Sequence, residues 1–364
     1  MNRRRGGARG AVAPSNGRAT HAEGLESGQV TALDGTLPEV TDSGTVTRSP
    51  RRVVEVPGRV DRWFNLLTLS AGLIVLALLT LVGLFLLLRA REALDVTGVW
   101  NFLTTEGWRT DVNPPTIGVL GMLVGTVIVA IIAVTIALPF SVAAALFITE
   151  YSTARTRQYL TSVVDLMAAI PSLLFGLWGF RYLSDQVVPL SKWLSRNLGF
   201  IPVFKTDPDA RLTGTFFIAG IVVALMVMPI ITSVVREVFG QTPPGEKEAA
   251  LALGSTRWGM IRTVVLPYGR GGIVGGTMLG LGRALGETIA VALLLPQVPE
   301  ITEKILQNGG ATVAGFIALR AGGDAFTVSG LMAAGLVLFI LTLVTNMLAS
   351  VVVARSRSGA GVEL

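Results

Sequence analysis

Cysteine is absent from this sequence, and histidine occurs once, at His21. Without thiols there is neither a disulfide framework nor a thiolate metal site. One histidine in a polar segment excludes histidine metal clusters and Ser-His-Asp arrangements. Charge is scarce too: Asp, Glu, Lys and Arg make up 15% of the 364 residues, against about a quarter in an ordinary soluble domain. There are four lysines, none preceded by glycine, so the GxxxxGK[ST] phosphate cradle of a nucleotide-binding loop is missing. The chain is poor in catalytic groups.

What fills it instead is apolar. Hydrophobic residues account for 51%, and mean hydropathy is +0.62. A hydrocarbon core about 30 Å thick needs roughly 20 apolar residues per helical crossing. Phe64 to Leu88 is such a run without a single charge, flanked by Arg59 and Arg62 before it and Arg89 and Arg91 after it. Further runs predict spans at about 118–148, 163–183, 213–235, 271–295 and 328–354, six in all with 64–88. The expected fold is an all-α polytopic membrane protein whose transmembrane domain covers 61–354. Prolines recur inside the runs at Pro139, Pro171, Pro229 and Pro296. They are either kinks for packing or breaks beside a cavity that re-satisfies the freed backbone groups.

Residues 1–60 are rich in Gly, Pro, Ser, Thr and Arg and read as a disordered tail. They are no secretory signal, since the first apolar run begins more than sixty residues in and is too long. The tail arginines suit orientation of the first helix better than nucleic-acid binding. With this end cytoplasmic, six crossings return 355–364 to the same side as a second short tail. The count is then 19 Lys and Arg inside against 10 outside, the tail supplying the difference. Outer connections fall at about 89–116, 184–212 and 296–327, and the middle one, with Trp193 and other aromatics, suits the membrane interface. Arg181 and Asp165, near opposite ends of the third run, read as interfacial anchors.

The long inner connection, 236–270, contains "QTPPGEKEAALALGSTRWGMIRTVVLPYGR". It predicts two short helices: Thr242 caps the first, Pro243 takes its first position, Glu246 and Glu248 favour its N-terminal dipole, and Gly254 ends it. Ser255 caps the second, on which Trp258, Ile261 and Val265 recur at helical spacing until Pro267. A DNA-binding helix-turn-helix has a similar outline. Here both ends are tied to membrane helices within a few residues, so a duplex could not be straddled. What remains is a packed connector or a fixed-shape knob that lays a helix into a groove on a soluble partner.

Glu248, Ala249 and Ala250, then Gly254, then Val264, Leu266 and Pro267 match the spacing of the EAA loop of ABC-importer permeases. The longer stretch from Glu248 to Val291 resembles the phosphate-specific permeases of that family, with weaker support from "LFITEYST" and "AAIPSLLFGLWG". The resemblance implies a type I importer permease in the bacterial plasma membrane, with both termini cytoplasmic. It implies that the EAA loop couples to a dimeric ATP-binding subunit (PstB-like). It further implies a second homologous permease (PstA-like) and an extracytoplasmic phosphate-binding protein (PstS-like). ATP and Mg would then sit on the ATPase, leaving no cofactor or metal in this chain.

In the fifth run Gly272, Gly276 and Gly280 stand four apart, and Gly282 and Gly286 make a second such pair. Small residues at this spacing let membrane helices approach closely and predict a packing seam. A dinucleotide fingerprint in "GLGRALG" fails on spacing and context. Arg283 lies twelve residues from each end of the run. A charge there costs about 2.5–3.5 kcal/mol or more, so it must face a cavity or a partner. Glu287 follows at the i, i+4 position and is expected on the same face.

Two readings stay open. The pair neutralises itself inside the bundle, or Arg283 offers planar donors to an oxyanion while Glu287 orients it. A charge-neutral pair alone would trap phosphate poorly. A proton-coupled carrier using Glu287 is the competing function, but such a carrier has no use for an EAA loop. The residues alone leave sulfate or molybdate open beside phosphate.

Overall fold

The computed structural model describes residues 59–357. The tail expected over 1–60, and the end of the one over 355–364, lie almost entirely outside these residues. Contacts divide the chain into Met1–Leu67, whose described part is the opening of the first helix, and Thr68–Leu364, which holds the rest of that helix and every later element.

Among the described residues the fold is mainly helical, with one two-residue antiparallel pairing and an isolated antiparallel bridge between Thr215 and Asn308. α1 spans Arg59–Thr97 and α2 Val99–Thr104; β1 (Trp108–Arg109) pairs with β2 (Thr116–Ile117); α3 follows at Leu120–Leu146. α4 is Ala154–Ala169, α5 Ser172–Trp178, α6 Ser184–Leu198 and α7 Phe216–Gly240. Next come α8 (Pro244–Ala252), α9 (Arg257–Met260), α10 (Leu266–Tyr268), α11 (Arg270–Leu285), α12 (Ile289–Leu294), α13 (Val313–Arg320) and α14 (Ala325–Arg357). π-helical turns extend α3 over Phe147–Tyr151, join α5 to α6 over Gly179–Leu183 and join α9 to α10 over Ile261–Val265.

Among the described residues, four helical stretches are long and apolar enough to cross a membrane: Val60–Thr97, Leu120–Tyr151, Phe216–Gly240 and Ala325–Val353. The run expected as a single helix over 163–183 is bent by 86° between α4 and the segment Ser172–Leu198. The cause is Pro171, which pushes the residue before it out of the helical region; Ile170 is extended, with ψ 128°. The run expected over 271–295 is also interrupted, by Gly286, Glu287 and Thr288 between α11 and α12. Much of the expected outer connection 184–212 is helical, as α6. Pro139 and Pro229 remain inside continuous α3 and α7.

The main core surrounds α7, whose Ile218, Val222, Val227, Ile231, Val235 and Phe239 are fully enclosed or nearly so. α3 supplies Val129, Ala133 and Ala137, α11 Ala284 and Leu285, and α12 Ala290, Val291 and Leu294. Ser141 of α3 and Thr232 of α7 both donate to the carbonyl of Met228, next to Pro229. A second core gathers Ala90, Ala93, Phe102, Trp108, Met122, Phe316 and Leu331. Elsewhere α1 presents its leucines outward, as a helix does when lipid replaces a protein neighbour.

At one end of the molecule, the segment before α7 is stitched to the loop before α13. Lys304 Nζ donates to Asp207 Oδ1 at 2.6 Å, and the ammonium holds that exposed carboxyl below the usual carboxylate range. Asn308 donates to the carbonyl of Thr213 from the same loop.

Candidate functional site

Two places carry the sequence-predicted residues. The first is the break between α11 and α12. α11 lies antiparallel to α7 along its glycines. A Cβ at Gly272 would stand 2.6 Å from Val238 Cβ, one at Gly276 3.3 Å from the Ile231 carbonyl, and one at Gly280 2.8 Å from the Ile231 side chain. These three form a seam with α7. Gly282 faces α14 instead, 3.3 Å from Asn346 Oδ1 by the same measure. Gly286 meets only its own preceding turn and is where α11 stops. The second glycine pair is therefore split between a helix contact and a helix end.

Arg283 occupies the last turn of α11, where a cation complements the helix dipole, and is exposed. Glu287 lies in the break and is buried, at 8% exposure. Its Oε1 accepts a hydrogen bond from the Ala290 amide at 3.3 Å, one of the orphan donors at the start of α12. Among the described residues the ion pairs are Arg236–Asp165, Lys247–Glu150 and Lys304–Asp207; Arg283 and Glu287, whose mutual neutralisation is one of the two open readings, form none. The i, i+4 argument assumed an unbroken helix. Once Gly286 ends α11, the carboxylate serves the next helix. α12 is fixed by α5, where a Cβ at Gly176 would come within 2.7 Å of Ala290 Cα.

Asp165 lies 4.0 Å from Arg236 Nη2, joining α4 to α7, and Arg181 is exposed in the π turn after α5.

The second place is the knob from α8 to α10. Gly254 has φ +85°, a conformation glycine adopts without steric cost. Its amide donates to the Leu251 carbonyl at 3.0 Å and the Ser255 amide to that of Ala250 at 3.2 Å, the two bonds of a Schellman ending. Two details differ from the sequence reading. Pro243 and Pro244 take the cap and first position of α8, and the Thr242 hydroxyl is buried without a partner among the described residues. Thr256, not Ser255, caps α9, accepting from the Gly259 amide at 3.1 Å. Both positions carry a hydroxyl, and the two-bond ending at Gly254 shifts the register by one.

The knob presents apolar side chains outward: Leu253 is 89% exposed, Trp258 58% and Leu251 43%. Glu248 and Ala249 are exposed, Ala250 and Leu266 lean against the main core, and Pro267 is exposed. Isolated exposed leucines are ordinary; here three large apolar side chains are exposed within one short projecting segment. No group of His, Cys, Asp or Glu suited to a metal ion occurs among the described residues.

These features define a polytopic helical membrane protein with a partly apolar, exposed knob between two helices of its core. The chain belongs to the family of binding-protein-dependent transport system inner membrane components, which matches residues 137–358, and is a multi-pass membrane transport subunit. Its relatives include the phosphate transport system permease protein PstC 2 of Mycobacterium tuberculosis, 40% identical over 79% of this chain and 90% of the relative. PstC of Mycobacterium leprae is 41% identical over 77% of this chain and 88% of the relative. A probable PstC of Methanocaldococcus jannaschii is 34% identical over 78% and 91%. Among solved structures, the inward-facing MetNI methionine ABC transporter overlaps 66% of this chain and 94% of its own at 18% identity, with a TM-score of 0.45.

Proposed function

We propose that this chain is one of two permease subunits of an ATP-driven importer of inorganic phosphate, that it couples to a separate ATP-hydrolysing subunit through the knob at 244–268, and that it receives phosphate from an extracytoplasmic binding protein. The observation that carries the coupling is the knob itself: a Schellman-terminated helix with Leu251 and Leu253 exposed at its end, followed by the exposed Trp258 of α9. A helix held in fixed orientation by its own ending suits insertion into a groove on a soluble partner. Phosphate follows from the relatives, which are named as phosphate permeases and align with more than three-quarters of the chain. The knob then faces the cytoplasm, and both termini lie on that side.

Arg283 is the residue assigned to the anion. With no ion pair to Glu287, the donor fork of the guanidinium is open to an oxyanion. A neutral amide leaves the carboxylate's charge in place, so cations from the second permease remain part of the anion path in this reading. The test is uptake of labelled phosphate, against sulfate and molybdate, in vesicles containing this chain and its co-purifying subunits. Preferential uptake of sulfate or molybdate would reassign the substrate, and uptake without ATP would overturn the importer reading.

A further inference from the structure

Helix α8 is weakly packed for an element assigned to transmit force. None of its nine residues is buried, and a helix of that length is marginal by itself. Ala250 touches the main core. The strongest polar contact is made by Lys247, whose Nζ donates to Glu150 Oε1 at 2.6 Å. The Glu150 side chain is 7% exposed and that of Lys247 21%, so the pair is largely shielded from water. Among the described residues it is the ion pair that ties the knob to a membrane helix.

Glu150 belongs to the π turn Phe147–Tyr151 that ends α3. Arg157, in α4, grips that turn as well: its Nε donates to the Ile148 carbonyl at 3.1 Å and its Nη2 to the Thr149 carbonyl at 2.6 Å. Carbonyls at a helix end have no intrahelical partner, so the guanidinium both satisfies and fixes them. One turn therefore joins three elements. α3 in turn packs along α7, which forms the centre of the core. A displacement of α8 that keeps the Lys247–Glu150 bond must carry the end of α3 with it.

We propose that Glu150 and Lys247 are positioning residues that transmit movement of the knob to α3 and α4, and that the knob and the end of α3 move as one body through the transport cycle. The inference rests on reading the knob as the ATPase docking element, and its test separates the two.

The complex of this chain with its co-purifying subunits is placed in liposomes, and labelled phosphate taken up is measured per ATP hydrolysed. Glu150→Gln and Lys247→Met each lower that ratio by about fivefold or more, the smaller end of typical coupling energies, while the ATPase still co-purifies. The exchange Glu150→Lys with Lys247→Glu restores the ratio.

Because the chain has no native cysteine, the pair Glu150→Cys and Lys247→Cys gives a second measurement, independent of whether the exchanged charges assemble. Unbridged, it behaves as the neutral variants do. Joined by a short bifunctional thiol reagent, it regains coupled uptake. A normal ratio in both neutral variants, an assembled exchange variant that stays uncoupled, or uptake that stops when the cysteines are joined would each overturn the link. Failure of the ATPase to co-purify with the unaltered chain would overturn the reading of the knob instead.

Discussion

Glu287 and Ala290 are joined by a hydrogen bond from the Ala290 amide to Glu287 Oε1 at 3.3 Å, across the start of α12. This contact bears on how an apolar stretch of the chain tolerates two charges. The carboxylate is buried but serves a helix end, and the guanidinium four residues earlier is exposed at the end of another helix. Each charge answers a dipole of its own, because the segment is two helices rather than one.

On the proposed function, Arg283 is the residue whose loss should weaken transport without removing the protein. Arg283→Gln keeps a polar side chain but loses the charged fork. Hydrogen bonds to a charged group contribute about 1.5–3 kcal/mol, so phosphate uptake by the reconstituted complex should fall about ten- to hundredfold, with subunit assembly unchanged. Arg283→Lys should recover part of the rate, since the charge returns without the bidentate geometry. Normal uptake by Arg283→Gln would return Arg283 to a structural role.

Glu287 is separable by a different pair of changes. Glu287→Gln keeps an acceptor oxygen for the Ala290 amide, whereas Glu287→Ala leaves that donor unpaired in a buried break. Loss of a cap costs about 1 kcal/mol, so the alanine variant should denature earlier in detergent and the glutamine variant should match the parent in both stability and uptake. Abolished uptake in a stable Glu287→Gln would favour a proton-carrying carboxylate.

What the sequence could and could not convey follows from the range of each signal. The apolar runs are legible because membrane length and the absence of charge are local properties, as in Phe64–Leu88. The end of α8 is legible because Gly254 supplies a φ that few other residues adopt. The bend at Ile170 was available in principle from the residue before Pro171. The break at Gly286 escaped because helical spacing presumes a continuous helix, and one glycine among several gives no sign of which ends it. Glu150 and Lys247 lie 97 positions apart, a pairing that only tertiary packing creates.

The glycine seam makes a graded prediction. Gly272→Ala places a Cβ 2.6 Å from Val238 Cβ and forces α11 away from α7. Overpacking of this kind costs about 1–3 kcal/mol. Gly286→Ala meets nothing nearer than the Gly282 carbonyl at 3.7 Å and should be close to neutral. Thermal unfolding of the two variants in detergent checks the contrast, and equal midpoints would remove the seam from the list of packing contacts.

Gly254 tests the knob most directly, since its surroundings are open. A Cβ there meets nothing within 4 Å, so only backbone conformation is at issue. Gly254→Ala holds an L-residue at φ +85°, for a cost of about 1–2 kcal/mol, and should weaken co-purification of the ATPase without ending it. Gly254→Pro cannot adopt that φ and also loses the amide that donates to Leu251. It should reach the membrane in normal amount and retain no ATPase. Full co-purification by the proline variant would mean that the geometry at the end of α8 is not what the ATPase recognises.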